Sequence, residues 1–239
     1  MKTGIIVLGQ HSTSMGEWEV VERCADFLER NGRSNVNIAF HYGTPSSDDV
    51  MEQMNADGVD TFVILPLAVS EGKMTVWQMP RKLGIPDNCG SWRIMGGKDV
   101  AIRFATALGL NDALADELIE REGPPRADTA LLLLSYGSEN DHCFETAEFY
   151  SSKLKEAGWL TETAYCHRRR NVKEALESLR NRGVEHIRVI PLYIAFDGPS
   201  AERSKMELGL SRMDIQYSKP ISDLESFYLI LDSKVPEGW

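Results

Sequence analysis

Short polar segments follow three apolar runs in the first half of the chain. These segments are Gln10-His11-Ser12, His41-Tyr42 and the loop that holds Glu71. An imidazole can bind a divalent cation or accept a proton, and a carboxylate can do either as well. If the apolar runs are parallel strands, their ends lie at one edge of a sheet, where such folds bind ligands. The spacing therefore predicts that these side chains bind a metal ion or transfer protons at that edge. The alternative is that they only cap helices or form hydrogen bonds with the backbone.

The apolar runs predict buried parallel strands. Aliphatic runs bounded by Gly, Ser or Thr are typical of strands that are covered on both faces. We predict strands at Ile5–Leu8, Val36–Phe40, Thr61–Leu65 and Ser91–Met95, and again at Leu131–Leu134, Glu162–Cys166, His186–Ile190 and Asp214–Tyr217. Apolar residues at helical spacing predict helices at Trp18–Glu29, Asp49–Asn55, Phe144–Glu156 and Val172–Arg182. This alternation implies α/β architecture with helices on both faces of each sheet.

The two halves of the chain align with each other at an offset of about 125 residues. Leu8 aligns with Leu134, and Pro66 aligns with Pro191. Self-similarity over this length indicates two lobes of the same kind in one chain. Two prolines at 124 and 125 end the preceding helix. We therefore predict two domains, residues 1–123 and residues 129–239.

The composition limits the class of partner. The 239 residues include 26 Lys and Arg against 36 Asp and Glu, which gives a net charge of −10 at pH 7. This excess of negative charge disfavours binding to nucleic acid or to an anionic membrane. The four cysteines lack metal-site or disulfide spacing, and the first apolar run is too short for a signal peptide. We expect a cytoplasmic protein with free thiols that binds a small molecule.

Several segments together resemble one protein family. They are Gly9-Gln10-His11-Ser12, Pro45-Ser46, Val63-Ile64-Leu65-Pro66-Leu67, Glu71-Gly72-Lys73-Met74, Met79-Pro80 and Met95-Gly96. In this arrangement the chain resembles the two-lobe class II chelatases, which insert cobalt, nickel or iron into sirohydrochlorin and related tetrapyrroles. The resemblance covers nearly the whole chain. It implies two tandem flavodoxin-like lobes, each a four-stranded parallel sheet with helices on both faces, related by a pseudo-twofold axis with the tetrapyrrole between them.

The resemblance also identifies the positions of the family's metal-binding histidines. Gln10 and Met74 stand at these positions in the first half, and Tyr136 and Ser200 stand there in the second. His11, one residue after the first position, is the nearest imidazole. We therefore predict that His11 binds the metal and acts in catalysis together with Glu71. The divalent metal, cobalt, nickel or iron, is expected as a substrate, with no organic cofactor.

Macrocycles of the sirohydrochlorin type are rich in carboxylates, which arginine binds through paired hydrogen bonds. A run of three arginines follows His167 and could supply such contacts. The predicted substrate-binding residues are Gln10, Ser12, His41, Met74, Tyr136, Ser138, His167, Arg168, Arg169 and Arg170. Lys73, Arg81 and Arg203 would add positive charge nearby.

The function that the resemblance implies is a lyase-class metal chelatase for a sirohydrochlorin-type tetrapyrrole, in cobalamin or related tetrapyrrole biosynthesis. Because both lobes lie in one chain, we expect a competent monomer. Two alternatives stay open. One is a homologue that binds tetrapyrrole or metal without insertion. The other is a phosphate or flavin binder that uses the hydroxyl-rich segment Ser12-Thr13-Ser14 at a helix N-terminus.

Overall fold

A computed structural model describes residues 1–85, 91–137, 142–167 and 170–237. The chain divides into two compact units, of which the first contains residues 1–108 and 228–239 and the second residues 109–227. The domains predicted from the sequence, 1–123 and 129–239, place the boundary later and leave the C-terminal segment in the second half. Within the described ranges, no helix combines the length and apolar character that crossing a membrane requires.

The first unit is built around one twisted sheet. Its elements are β1 (Thr3–His11), α1 (Met15–Arg30), β2 (Val36–Tyr42), α2 (Ser47–Ala56), β3 (Thr61–Pro66), a π-helical turn (Met74–Gln78), α3 (Met79–Lys82), β4 (Ser91–Met95) and β5 (Lys98–Phe104). The strand order is β2-β1-β3-β5-β4. The central strands β1 and β3 are buried over almost their whole length, as their apolar sequences predict.

The outer part of this sheet corrects the prediction of four parallel strands. Ser91–Met95 is a strand, but it is an antiparallel edge strand paired with β5, and β5 is the strand that lies beside β3. Gly96 and Gly97 join the two in a two-residue turn with φ values of +55° and +77°. Both positions of such a turn favour positive φ, which glycine adopts without strain. The Gly-Gly pair therefore adds a fifth strand to the first sheet.

The second unit has the predicted four parallel strands. Its elements are α4 (Asp112–Glu122), β6 (Thr129–Ser135), α5 (His142–Glu156), β7 (Thr161–Tyr165), α6 (Val172–Asn181), β8 (His186–Leu192), α7 (Gly198–Gly209), β9 (Asp214–Tyr217), a 3₁₀ turn (Ile221–Asp223) and α8 (Glu225–Ser233), which runs on into the first unit. The strand order is β7-β6-β8-β9. Leu134 lies beside Pro191 in this sheet, as Leu8 lies beside Pro66 in the first. The α/β class and the presence of two similar sheets are thus confirmed.

The residues of β1 alternate between two faces of the first sheet. Leu8 belongs to the core cluster that includes Met51 of α2 and Met79 of α3. Gly9 lies on the opposite face, where an added Cβ would come within 2.9 Å of Val21 in α1. Because β1 continues to residue 11, residue 10 follows Leu8 onto the α2–α3 face and residue 11 follows Gly9 onto the α1 face.

Replacing Gly9 with Ala is expected to lower the free energy of unfolding by about 1–3 kcal/mol, because the added methyl group overpacks a filled space. The new Cβ would lie 2.8 Å from the ring of Phe40. Urea unfolding followed by circular dichroism measures the change. Gly209→Ala is the control, since a Cβ at the end of α7 meets nothing within 4 Å. Unchanged stability of the Gly9 variant would contradict this close packing.

Candidate functional site

His11 lies at the rim of the first sheet. It is the last residue of β1 and is paired in register with Tyr42, the last residue of β2. The two rings are stacked with their centroids 5.0 Å apart, and both residues are exposed. The imidazole predicted as the metal ligand therefore lies on the α1 face of the sheet edge, where solvent reaches it.

Glu17 of α1 holds the loop that carries His11. Its carboxylate accepts hydrogen bonds from the backbone N–H groups of Gln10 and His11, the second at 3.2 Å. Glu17 is buried, and its own N–H donates to the Ser14 hydroxyl that caps α1, at 3.0 Å. A phosphate bound at this loop would need the same N–H groups and would be repelled by the carboxylate. The geometry thus disfavours the phosphate or flavin alternative.

Ser12 is tied into the same loop. Its hydroxyl accepts a hydrogen bond from the Thr44 N–H at 3.3 Å, and its carbonyl accepts one from the indole N–H of Trp18 at 2.6 Å. Gly43 approaches so closely that an added Cβ would lie 1.8 Å from the Ser12 hydroxyl. The predicted substrate contact at Ser12 therefore also fixes the distance between the ends of β1 and β2.

The backbone register places Gln10 and His41 side by side at the ends of β1 and β2. In the pairing of β1 with β2, Gly9 lies beside Phe40 and His11 lies beside Tyr42. Gln10 and His41 therefore lie between these two pairs. His41 is only 5% exposed. Neither of its ring nitrogens makes a hydrogen bond within the described ranges, and they are not among the polar atoms sealed from solvent there. The ring of His41 packs edge-on against that of Tyr42, with the centroids 4.3 Å apart, close to the position where the family carries a histidine.

The surroundings of His41 favour the neutral form of its ring. Burial lowers the pKa of His41, and the positive charges of Lys82 and His11 lower it further. The ammonium group of Lys82 donates to the His41 carbonyl at 2.5 Å, so this charge is fixed next to the ring. Neutral imidazole is the form that binds a metal ion.

Glu71 anchors the loop that follows β3. One carboxylate oxygen accepts a hydrogen bond from the Ala107 N–H at 2.7 Å, and the other accepts one from the Thr75 hydroxyl at 2.8 Å. The contacts join the π-helical turn to the segment after β5. Met74 opens this turn and packs, half-buried, against the core cluster beneath α2 and α3. Single π-turns are frequent at functional sites.

Trp77 is a surface residue of the π-helical turn that sequence analysis overlooked. It is 49% exposed, and the guanidinium of Arg81 lies 4.7 Å from its ring centroid. Tyr42, at the end of β2, is 44% exposed. Exposed aromatic faces bind flat ligands by stacking. The signal in the sequence was an aromatic residue in the segment after the third strand, four positions before Arg81.

The second unit joins its own strand-end residues. The ring of His167 lies 4.7 Å from that of Tyr136, and its Nε2 lies 3.3 Å from the Ser200 hydroxyl. The two residues at the family's histidine positions in this half therefore contact one imidazole. Beside them, the Cys166 thiol lies 2.6 Å from the Tyr193 hydroxyl.

The predicted arginine cluster is only partly described. Arg170 forms an ion pair with Glu162 of the same unit, whereas Ser138, Arg168 and Arg169 lie outside the described residues. Among the residues that the structure describes, no three His, Cys, Asp or Glu side chains gather into a metal-binding group. His11 and Glu71, predicted as metal ligands, are therefore not members of such a group.

Two α/β units, each with polar side chains at the ends of its parallel strands, have the architecture expected of a class II chelatase-like protein. Comparison with protein families agrees, since residues 4–123 match the family model described as CbiX. This chain belongs to the CbiX family.

Individual relatives are similar to part or all of the chain. The sirohydrochlorin cobaltochelatase of Methanosarcina barkeri is 28% identical over 124 residues, which are 50% of this chain and 94% of that protein. SirB from Bacillus subtilis, solved with Fe³⁺, superposes with a TM-score of 0.74 at 16% identity, covering 98% of this chain and 94% of that one. A multi-domain protein of Deinococcus radiodurans with structural similarity to chelatases also gives 0.74, at 20% identity, covering 100% of this chain and 55% of that one.

Replacing Glu17 with Ala is expected to loosen the first loop and to lower the free energy of unfolding by about 1.5–3 kcal/mol, because two backbone N–H groups lose a charged acceptor. Hydrogen exchange of the amides of residues 10 and 11 should accelerate. Glu19→Ala is the control, since Glu19 is an exposed residue of the same helix. Unchanged exchange in the Glu17 variant would contradict the role of this carboxylate.

The pKa of His41 is expected to lie below the ordinary value for histidine, and Lys82→Gln should raise it by removing the nearby positive charge. Because the pKa of His41 is lower in the folded protein than in the unfolded chain, the unfolded chain binds the proton on this ring more tightly. The contribution of His41 to stability is therefore complete above the ordinary histidine pKa of about 6.5 and decreases as the pH falls below it. NMR titration of the ring signal measures the pKa, with Lys73→Gln as the control. A His41 pKa that does not respond to the Lys82 substitution would contradict the assignment.

Proposed function

We propose that this chain binds a sirohydrochlorin-type tetrapyrrole and inserts a divalent metal, cobalt or nickel, into it, as a step of cobalamin or related tetrapyrrole biosynthesis. One observation carries the proposal. The C-terminal edge of the first sheet, inside the residues that match the CbiX family, combines two imidazoles with exposed aromatic rings and basic side chains. The relatives named as sirohydrochlorin cobaltochelatases support the same substrate class.

The groups suited to the macrocycle follow β2 and β3. Tyr42 and Trp77 offer aromatic faces on which a flat ring can stack. Lys73, Arg81 and Lys82 lie on the turn and helix after β3, and none of them is paired with a carboxylate in the described part of the chain. In a protein with a net charge of −10, unpaired cations at a strand edge favour an acidic ligand such as a polycarboxylate tetrapyrrole.

Metal insertion also requires proton acceptors. One divalent cation replaces two pyrrole N–H protons, so two protons must leave the macrocycle. In this proposal His11, exposed on the rim, accepts a pyrrole proton on its ring nitrogen and releases it to solvent. Glu71, its predicted partner, would act on a proton or the metal by exchanging its hydrogen bonds to Thr75 and Ala107.

The double variant Gln10→His, Met74→His is expected to insert Co²⁺ or Ni²⁺ faster than the wild type. Imidazole binds these ions better than an amide or a thioether, and both positions adjoin the α2–α3 face. Visible absorption of the anaerobic protein, titrated first with sirohydrochlorin and then with metal, measures binding and insertion separately. The double variant Gln10→Asn, Met74→Leu is the control, because it changes the shape of both side chains without adding an imidazole.

The same titration separates the alternatives. A wild type and a histidine variant that both bind sirohydrochlorin but show no metal-dependent spectral change would identify a tetrapyrrole-binding protein without insertion activity. A protein that leaves the spectrum of sirohydrochlorin unchanged would exclude both the chelatase and the tetrapyrrole binder.

A further inference from the structure

A lysine that follows α8 reaches the segment to which Glu71 is bound. Lys234 is the residue after the end of α8, and its contacts place it in the first unit. Its half-buried ammonium group donates to the Thr106 hydroxyl at 2.9 Å and to the Ala107 carbonyl at 3.0 Å. The N–H of the same Ala107 donates to the Glu71 carboxylate at 2.7 Å. One residue after β5 is therefore held through its carbonyl by an ammonium group and through its N–H by a carboxylate.

The segment that carries Lys234 is fixed by contacts of its own. The ring centroid of Tyr228 in α8 lies 5.4 Å from that of Phe27. Asp232 forms an ion pair with Arg33, whose Nε lies 2.7 Å from the carboxylate. Both partners belong to the first unit. Because these contacts do not involve the ammonium group of Lys234, we expect a variant at this position to stay folded.

The ammonium group also interacts with the charge of Glu71. Burial lowers the pKa of Lys234, and the negative charge of Glu71 partly offsets this effect. In the part of the chain that the structure describes, Lys234 makes no direct ion pair with a carboxylate. The attraction between the two charges therefore acts across Ala107, to which both groups are hydrogen-bonded.

The second unit contains an equivalent cation. Arg121 of α4 donates to the carbonyls of Lys219 and Pro220, at 2.9 Å and 3.4 Å. These two residues follow the end of β9 by the same number of positions as Thr106 and Ala107 follow the end of β5. Arg121 also lies as far from the start of α4 as Lys234 lies from the start of α8. A basic side chain that holds the segment after the last parallel strand is thus common to both units and belongs to the fold.

The link from this segment to an acid differs between the units. The residue equivalent to Ala107 is Pro220, and proline has no N–H to donate. Asp197, which aligns with Glu71, therefore cannot make the bond by which Glu71 holds Ala107. Within the described residues, the connection from the cation through a backbone residue to the acid after the third strand is a property of the first unit.

We propose that Lys234 is a positioning residue for Glu71 in metal insertion. The inference rests on the proposed function, in which Glu71 exchanges its hydrogen bonds to act on a proton or on the metal. When the carboxylate leaves Ala107, the ammonium group still holds the carbonyl of this residue, so its N–H stays where the carboxylate returns. Groups held in place in this way speed a reaction, because the chain need not reorganise in each turnover. Lys234 contacts neither the macrocycle nor the metal in this role.

The contacts are tested first by NMR, without metal or tetrapyrrole. Lys234→Met removes the ammonium group and should accelerate hydrogen exchange of the Ala107 amide about tenfold, the effect of losing one charged hydrogen bond. Lys234→Arg should restore slow exchange, since Arg121 makes the equivalent contact with a guanidinium. In Glu71→Gln the pKa of Lys234 should fall further below its ordinary value, because the opposing charge is removed. Lys155→Met is the control, since Lys155 is an exposed residue of α5.

An insertion assay measures the consequence for the reaction. Visible absorption with sirohydrochlorin and Co²⁺ gives kcat and KM, and circular dichroism establishes that each variant is folded. Lys234→Met is expected to lower kcat about tenfold and to leave the KM for sirohydrochlorin within about twofold, since a misplaced group slows the reaction without weakening substrate binding. Lys234→Arg should recover most of the kcat, and Lys155→Met should match the wild type. In the Glu71→Gln background, Lys234→Met should lower kcat no further, because both substitutions remove the same link.

Three results would overturn the inference. The first is a folded Lys234→Met variant with the kcat of the wild type. The second is a loss of kcat on Lys234→Met that is as large in the Glu71→Gln background as in the wild type. The third is an Ala107 amide whose exchange does not respond to Lys234→Met.

The outcomes also separate this inference from the proposed function. Metal insertion by a protein that gives any of the three results would leave the proposed function intact and reject only the role of Lys234. A wild type that inserts no metal would reject the proposed function. The amide exchange would then decide separately whether Lys234 holds the residue that Glu71 binds.

Discussion

The pleat of β1 determines which side chains can act together at the edge of the first sheet. The strand keeps its alternation as far as His11, so Gln10 and His11 face opposite sides although they are adjacent in sequence. Moving a side chain by one residue along β1 at this point therefore moves it to the other face of the sheet. The register with β2 then gives each residue a different neighbour, Tyr42 beside His11 and His41 beside Gln10. The residue beside Gln10 thus comes from another strand, and the ring of this His41 packs edge-on against Tyr42.

Two carboxylates keep this edge in shape. Glu17 holds the end of β1 through two backbone N–H groups, and Glu71 holds the turn after β3 through Thr75 and Ala107. An acid that accepts hydrogen bonds at both oxygens positions the chain around it, since moving it would leave those donors unpaired. The imidazoles and exposed rings, in contrast, retain unused surface at the same edge. Acids therefore define the geometry of this edge, and aromatic and basic groups remain exposed there.

The sequence predicted most of the fold because buried parallel strands and amphipathic helices have strong local patterns. The missed strand β5 follows a Gly-Gly turn that was present in the sequence, but a short strand with alternating polar residues resembles a loop. The site was harder to predict. The face of His11 depends on where β1 ends, and the bond between Glu71 and Ala107 joins residues 36 positions apart. Which residue lies beside Gln10 depends on the register between two strands. A motif within one strand does not contain that information.

The two halves of the chain show how a shared fold can lead to different chemistry. Both sheets present polar side chains at equivalent strand ends, but the second unit pairs them internally, Cys166 with Tyr193 and Arg170 with Glu162. In the first unit the ring nitrogens of His41 make no hydrogen bond to a described residue, although its ring packs against Tyr42, and the cations after β3 are not paired with a described acid. Since a satisfied polar group gains little from a new ligand and an unsatisfied one gains a bond, ligand binding is favoured where partners are missing. We therefore expect the chemistry of this chain in the first unit. This expectation rests on unpaired groups and not on the family's histidine motif.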